Sequence, residues 1–205
     1  MPQLLLFDLG NVLLFFSHRR GAEQLAALAG VDAEAVWQFV YAADLNLRCD
    51  EGLVTAQEFC ETFRKRFPCD ADDAAICHAA SDIFDANPGM LGLLARLEFA
   101  GHRLGLLSNT CDMHIDWLKQ RSTPLIPSVF DTVVLSYQEK LSKPDLAIYK
   151  LAADRAGVAP REVFYVDDRE ENVIGARDAG FDTVQYTTTV EYVMALRSRG
   201  VWVNY

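Results

Sequence analysis

The stretch LLLFDLGNVLL, residues 4–14, decides how the chain reads. Four apolar residues, Leu4 to Phe7, run straight into a carboxylate at Asp8, followed by Leu9, a bare Gly10 and Asn11. Residues 3–8 are too few for a helix and too uniformly apolar for a half-exposed strand. They read as a strand covered on both faces, which belongs to a parallel sheet with helices on either side. A carboxylate at the carboxyl end of such a strand stands where open parallel sheets bind ligands.

The same pattern recurs downstream. Residues 104–107, LGLL, stop at Ser108-Asn109-Thr110, and VFYVD, 163–167, stops on the pair Asp167-Asp168. DTVVLS, 131–136, reads as a third strand of this kind, and DTVQY, 182–186, as a weaker one. Helices fit between them: residues 89–100 close at Gly101, and DLAIYKLAADRAG closes at Gly157 with Pro144 expected in its first turn. ENVIGARDAG closes at Gly180, and Thr188 with Glu191 makes a capping pattern for a final helix. Strands alternating with helices predict an α/β fold, a Rossmann-like doubly wound parallel sheet.

Residues 16–86 interrupt that alternation and contain no strand-like run. GAEQLAALAG ends at Gly30, Asp32 caps a further helix, Thr55 and Glu58 make a capping box, and another helix covers about 71–84. The reading is a core domain built from 1–15 and 87–205, with an all-helical cap domain inserted at 16–86.

Composition narrows the partners. The chain has 205 residues, 51% of them hydrophobic, and a net charge of −10, which opposes nucleic acid as a partner because phosphate backbones are held by Lys and Arg. No apolar run reaches the length of a membrane span. The start lacks a basic segment with a cleavage site, so a cytoplasmic protein is expected. The five cysteines are odd in number and irregular in spacing, and read as packing residues in a reducing compartment rather than as disulfides or a zinc site. The sequence sets no oligomeric state.

The polar strand ends are Asp8, Ser108 with Asn109, Lys143 in the loop after the third strand, and Asp167-Asp168. Gathered in one cleft, they make a phosphoryl-transfer set. Three clustered carboxylates repel one another, and a hard divalent cation such as Mg²⁺ relieves that. Lys143 offsets charge, Ser108 and Asn109 donate to phosphate oxygens, and Asp8 is free to attack phosphorus.

FDLGNV, LLSNT, SKPDLAIY and VDDREENVIGARDAG resemble, in order, the four motifs of the haloacid dehalogenase-like (HAD) hydrolase superfamily. The resemblance is closest to the D-L-G-N-V branch that includes bacterial α-glucose-1-phosphate phosphatase, and the inserted helices resemble its type 1 cap. It implies that Asp8 is a nucleophile forming an aspartyl-phosphate, that Ser108 and Asn109 bind phosphate, and that Lys143 serves phosphate and nucleophile. It implies Asp168 as a direct Mg²⁺ ligand, Asp167 as its neighbour, and the main-chain carbonyl of Gly10 as a further ligand. The substrate implied is a small phosphorylated metabolite such as an anomeric sugar phosphate.

One position departs from the pattern. Most HAD phosphatases carry a second aspartate two residues after the nucleophile, and here that position is Gly10. Three accounts stay open: substrates with good leaving groups; an acid from the cap, with His18, Asp50 or Glu51 as candidates; or a weakly catalytic metabolite-binding protein. A metal-independent dehalogenase is the rival activity, opposed by the Asp167-Asp168 pair. Cys111, His114 and Asp116 lie after the SNT turn and read as structural, as do Trp37, Phe39 and Tyr41.

Overall fold

The computed structural model describes residues 1–121 and 129–202. The apolar runs form strands where expected: β1, Leu4–Phe7; β4, Leu104–Ser108; β5, Thr132–Leu135; β6, Val163–Asp167; and β7, Asp182–Gln185. Two short strands are additional: β2, Leu14–Phe16, and β3, Phe84–Ala86. The five long strands make one parallel sheet in the order β5-β4-β1-β6-β7. From central β1 the chain moves to β4 and β5 on one side, then returns to β6 and β7 on the other. Strand order therefore reverses about β1, and the ligand crevice of such a sheet opens at β1's carboxyl end, at Asp8.

Strand alternation divides the buried residues between two faces. Leu5, Phe7, Leu106 and Phe164 pack with Leu94, Leu97 and Leu196 of α6, Pro88–Phe99, and α11, Thr189–Ser198. Leu4, Leu6, Leu107 and Tyr165 pack on the other face with Ile148, Ala152 and Ala176 of α9, Leu146–Ala156, and α10, Glu170–Asp178. Burial on both faces is what keeps these strands apolar throughout. Only β7, at an edge, has partly exposed residues along its whole length.

Five α-helices lie between β2 and β3: α1, His18–Ala29; α2, Ala33–Trp37, continued by a π-helical turn, Gln38–Ala42; α3, Leu45–Asp50; α4, Ala56–Arg66; and α5, Asp73–Ser81. They enclose an apolar cluster that includes Leu25, Val36, Phe59, Phe63 and Ile76. Four of their starts are capped by side chains: Ser17, Asp32 and Asp72 each accept a hydrogen bond from an early backbone N–H, and Thr55 with Glu58 closes a full capping box. The five cysteines are free, and Cys49, Cys60 and Cys111 are buried in this cluster, as packing residues.

Three expectations are corrected. Residues 16–86 are not free of strand: Phe84–Ala86 pairs antiparallel with Leu14–Phe16, and the last helix of the segment stops at Ser81. Strands of three residues each carry too little period to register in the sequence. Pro144 lies outside its helix; the Asp145 carboxylate accepts from the Ala147 N–H, so α9 begins only at Leu146. The third strand ends at Leu135, and Ser136 opens a one-turn helix, α8, Ser136–Glu139. A further helix, α7, Asp112–Gln120, follows the SNT turn. Among the described residues no helix is long and apolar enough to cross a membrane.

Candidate active site

Backbone pairing brings the strand ends together. Asp8 follows β1 and donates its N–H to Val166 O at 3.0 Å, which sets it beside the end of β6. Ser108 ends β4 on the other side. Lys143 reaches in from the loop after α8, fixed by a reciprocal clamp: Asn109 Nδ2 donates to Lys143 O and Lys143 N to Asn109 Oδ1, each at 2.9 Å. Asn109 is expected to donate to phosphate; in the structure one N–H of its side-chain amide is engaged by Lys143 O.

The Lys143 ammonium is the hub. It donates to Asp8 Oδ1 and to Asp167 Oδ2, both at 2.7 Å, to Leu107 O at 3.2 Å and to the Tyr165 hydroxyl at 3.1 Å. Burial by itself pulls this ammonium towards neutrality; Asp8 and Asp167 more than reverse that and hold its pKa above the ordinary lysine value. Asp167 is fully buried, a burden that raises its pKa, yet Lys143 and the surrounding donors keep it below the usual aspartate value. Those donors are the Tyr165 hydroxyl, the Arg169 N–H and Asn172 Nδ2.

Asp8 is less well compensated. Burial pushes its pKa up to about 7, with Lys143 opposing and Asp167 adding to the rise. Asp168 is half-buried, and its pKa is also raised, by burial first. Asn11, in a left-handed conformation with φ 53° that asparagine tolerates, donates Nδ2 to Asp168 Oδ2 at 3.0 Å. Ligand oxygens of Asp8, Asp167 and Asp168 lie within 4.8 Å of one another. Three carboxylates face one ammonium, a donor set of hard oxygens with uncompensated negative charge that suits a divalent cation. Both oxygens of Asp167 are already taken by donors, so the oxygens best placed to meet a cation are those of Asp8 and Asp168.

Asp8, Asn11, Ser108, Asn109, Lys143 and Asp168 line a cavity of about 170 Å³, with Asp167 buried behind it. Gly10 and Phe16 belong to its wall, and so do His18, Asp50 and His114. A Cβ built on Gly10 would stand 2.8 Å from Phe16 Cε1, so that ring occupies the space of the absent side chain. His18 lies between Phe16 and Tyr41, with ring centroids 4.9 and 4.7 Å away. His114 is buried against Phe84, ring edge to face at 5.3 Å. Asp116 faces solvent beside Lys119, and burial pushes the Cys111 thiol well above its ordinary pKa, which leaves it inert.

Tyr165, Asn172 and Ser136 were missed as site residues. Tyr165 was findable: it precedes Asp167 by two residues in a strand, and period two puts both on one face. Asn172 and Ser136 carry no local signal, because their partners lie on other elements.

The sequence matches the haloacid dehalogenase-like hydrolase family over residues 2–180. The chain belongs to that family. A crystal structure of a HAD family enzyme from Bacteroides thetaiotaomicron superposes with a TM-score of 0.80 at 28% identity, covering 91% of this chain and 94% of that one. The wild-type form of the same enzyme, in complex with magnesium and inorganic phosphate, gives 0.76 at 27% identity, covering 91% and 95%. D-ribitol-5-phosphate phosphatase from the same organism is 24% identical over 200 residues, 90% of this chain and 92% of that relative. (S)-2-haloacid dehalogenase 4A of Burkholderia cepacia is 34% identical over 100 residues, which span 49% of this chain and 42% of the dehalogenase. The relatives thus include both a phosphatase and a dehalogenase.

Proposed function

We propose that this HAD hydrolase is a Mg²⁺-dependent phosphomonoesterase acting in the cytoplasm on a small phosphorylated metabolite, with a sugar phosphate as the substrate class. The observation that carries the reading is the buried Lys143 ammonium bridging Asp8 and Asp167, with Asp168 alongside. Asp8 is the nucleophile: one oxygen is held by Lys143 while the other attacks phosphorus, giving an aspartyl-phosphate that water then hydrolyses. Asp8, Asp168 and the Gly10 carbonyl would hold Mg²⁺, which would supply positive charge to keep Asp8 ionised and to offset the phosphate. Asp167 holds Lys143 in place. Ser108 Oγ, whose hydrogen bond within the chain is a long one of 3.4 Å to Asn109 O, is free to turn to a phosphate oxygen, with the main chain of Asn109 beside it. We read residues 16–86 as a cap that selects the substrate and excludes water. The cavity accepts a phosphate with a few carbons, and the five free thiols suit a reducing compartment.

The test is hydrolysis of 4-nitrophenyl phosphate with Mg²⁺, with EDTA, and by Asp8→Asn. Turnover that disappears with chelator and falls about 10⁴-fold or more in the variant supports the reading. Chelator-resistant activity on a 2-haloacid would replace it with the dehalogenase. The partial match to the Burkholderia enzyme is the observation favouring that second reading.

A further inference from the structure

Gly10 removes the proton carrier that most HAD phosphatases hold two residues beyond the nucleophile, and the Phe16 ring fills its space. For an ester whose leaving group needs a proton, a carrier must then come from elsewhere in the cavity wall. Among the described residues lining it, Asp8, Lys143 and Asp168 belong to the nucleophile and cation set, and Arg169 pairs with Glu171 at the surface. Burial lowers His18 to about 4 and His114 to about 3, so neither is an imidazolium able to act as the acid at neutral pH. Glu51 does not line the cavity. Asp50 remains.

Asp50 ends α3. Its Oδ2 accepts from Asn46 Nδ2 at 3.0 Å, while its Oδ1 is buried without a hydrogen-bond partner. An unpartnered buried carboxylate oxygen is costly to keep, and a protonated carboxyl lowers that cost. The titratable groups around it are Glu51, Cys49, Tyr41, Cys111 and His114, none of them a cation at neutral pH. Its backbone is fixed to the loops at the strand ends: Ser136 Oγ donates to Asp50 O at 2.5 Å and accepts from the Thr110 N–H at 2.9 Å. Gly52, at φ 68°, lies so close that a Cβ would be 2.2 Å from Tyr137 O, contact only glycine allows.

We propose, resting on the phosphatase reading above, that Asp50 is the acid–base of this site. In the first step its carboxyl gives a proton to the leaving oxygen as the ester P–O bond breaks and the bond from Asp8 to phosphorus forms. In the second, the resulting carboxylate takes a proton from the attacking water as the Asp8–phosphorus bond breaks. Inorganic phosphate leaves, with Asp8 ionised and Asp50 protonated again. Burial, reinforced by Glu51, pushes Asp50 up to about 7, so both forms are accessible near neutral pH.

Asp50→Asn keeps an oxygen for Asn46 and removes the proton. It is compared with wild type on 4-nitrophenyl phosphate, whose leaving group needs no proton, and on glycerol phosphate, both with Mg²⁺. The variant is expected to release about one equivalent of nitrophenol in a fast burst and then turn over about 10²–10⁴-fold more slowly than wild type. On glycerol phosphate it shows an equal loss and no burst. A raised KM with no burst assigns Asp50 to substrate binding and overturns the proposal, as does unchanged turnover of both esters. Wild type inactive on both overturns the phosphatase reading itself. A readout on wild type alone guards against a variant that fails to fold: its glycerol phosphate to nitrophenyl phosphate rate ratio falls as pH rises through about 7. A pH-independent ratio overturns the proposal.

Discussion

At the floor of the cavity, formed by strand ends, Lys143 sits between Asp8 and Asp167 with all its reach satisfied. At the wall formed by helices α1, α3 and α7, His18, Asp50 and His114 have no opposite charge beside them, and burial drives each towards its neutral form. The same burial therefore has opposite outcomes. Where Lys143 stands among carboxylates, it and Asp167 keep their charge, while Asp8 is still pushed up to about 7; where no cation stands, burial meets no opposition and groups go neutral. The floor is built for charge, the wall for hydrogen.

The sharpest way to break that contrast is to remove the floor's cation. Lys143→Met leaves two buried carboxylates unpaired, and urea unfolding without divalent cations is expected to show a loss of about 3–5 kcal/mol. An unchanged midpoint would mean that the floor does not depend on this pairing. The wall responds to pH instead. Asp50 has a folded pKa of about 7 against 3.8 in the unfolded chain, so the folded state binds more protons in that window and wild-type stability declines as pH rises through it. Asp50→Asn lacks this slope. Its advantage over wild type should grow by at most about 1.4 kcal/mol per pH unit between pH 4 and 7, read from paired urea melts. A constant difference would place the group in the ionised state throughout.

The boundary between floor and wall is Gly10 against Phe16. Gly10→Asp should cost about 1–3 kcal/mol from overpacking, and Gly10→Asp with Phe16→Ala less than the sum of the two single changes. Additive losses would mean the ring does not occupy that space. Smallest is Thr55→Ala, which breaks the capping box of α4, away from the cavity. It should lower stability by about 1 kcal/mol and leave nitrophenyl phosphate turnover unchanged.

The carboxylates of the floor were legible in the sequence because each ends or follows a run of apolar residues. Leu4 to Phe7 and Val163 to Val166 announce buried strands, and a carboxylate after such a run has few roles. Lys143 could be named, with the nucleophile Asp8 as a group it serves, but not its bonds to Asp167, Leu107 O and the Tyr165 hydroxyl, which come from two other strands. The wall was not legible in this way. Asp50 sits in a short helix that opens at Asp44, with φ 68° and no side-chain cap, and its burial depends on Ser136 and Tyr137, far along the chain. It stood among three candidates, and only the cavity separates it from Glu51. The β2–β3 pair escaped for a related reason: its pairing joins Phe16 to Phe84 across the whole helical segment. Local pattern reports burial along an element, and long-range pairing leaves little trace in it.

The central claim is that Asp8, held by Lys143, takes the phosphoryl group. Rapid quenching of wild type during turnover of 4-nitrophenyl phosphate with Mg²⁺, followed by peptide mass mapping, tests it directly. One phosphoryl group on the peptide that contains Asp8 is the predicted result. Continued turnover with no phosphorylated peptide, or with the group on another residue, would contradict it.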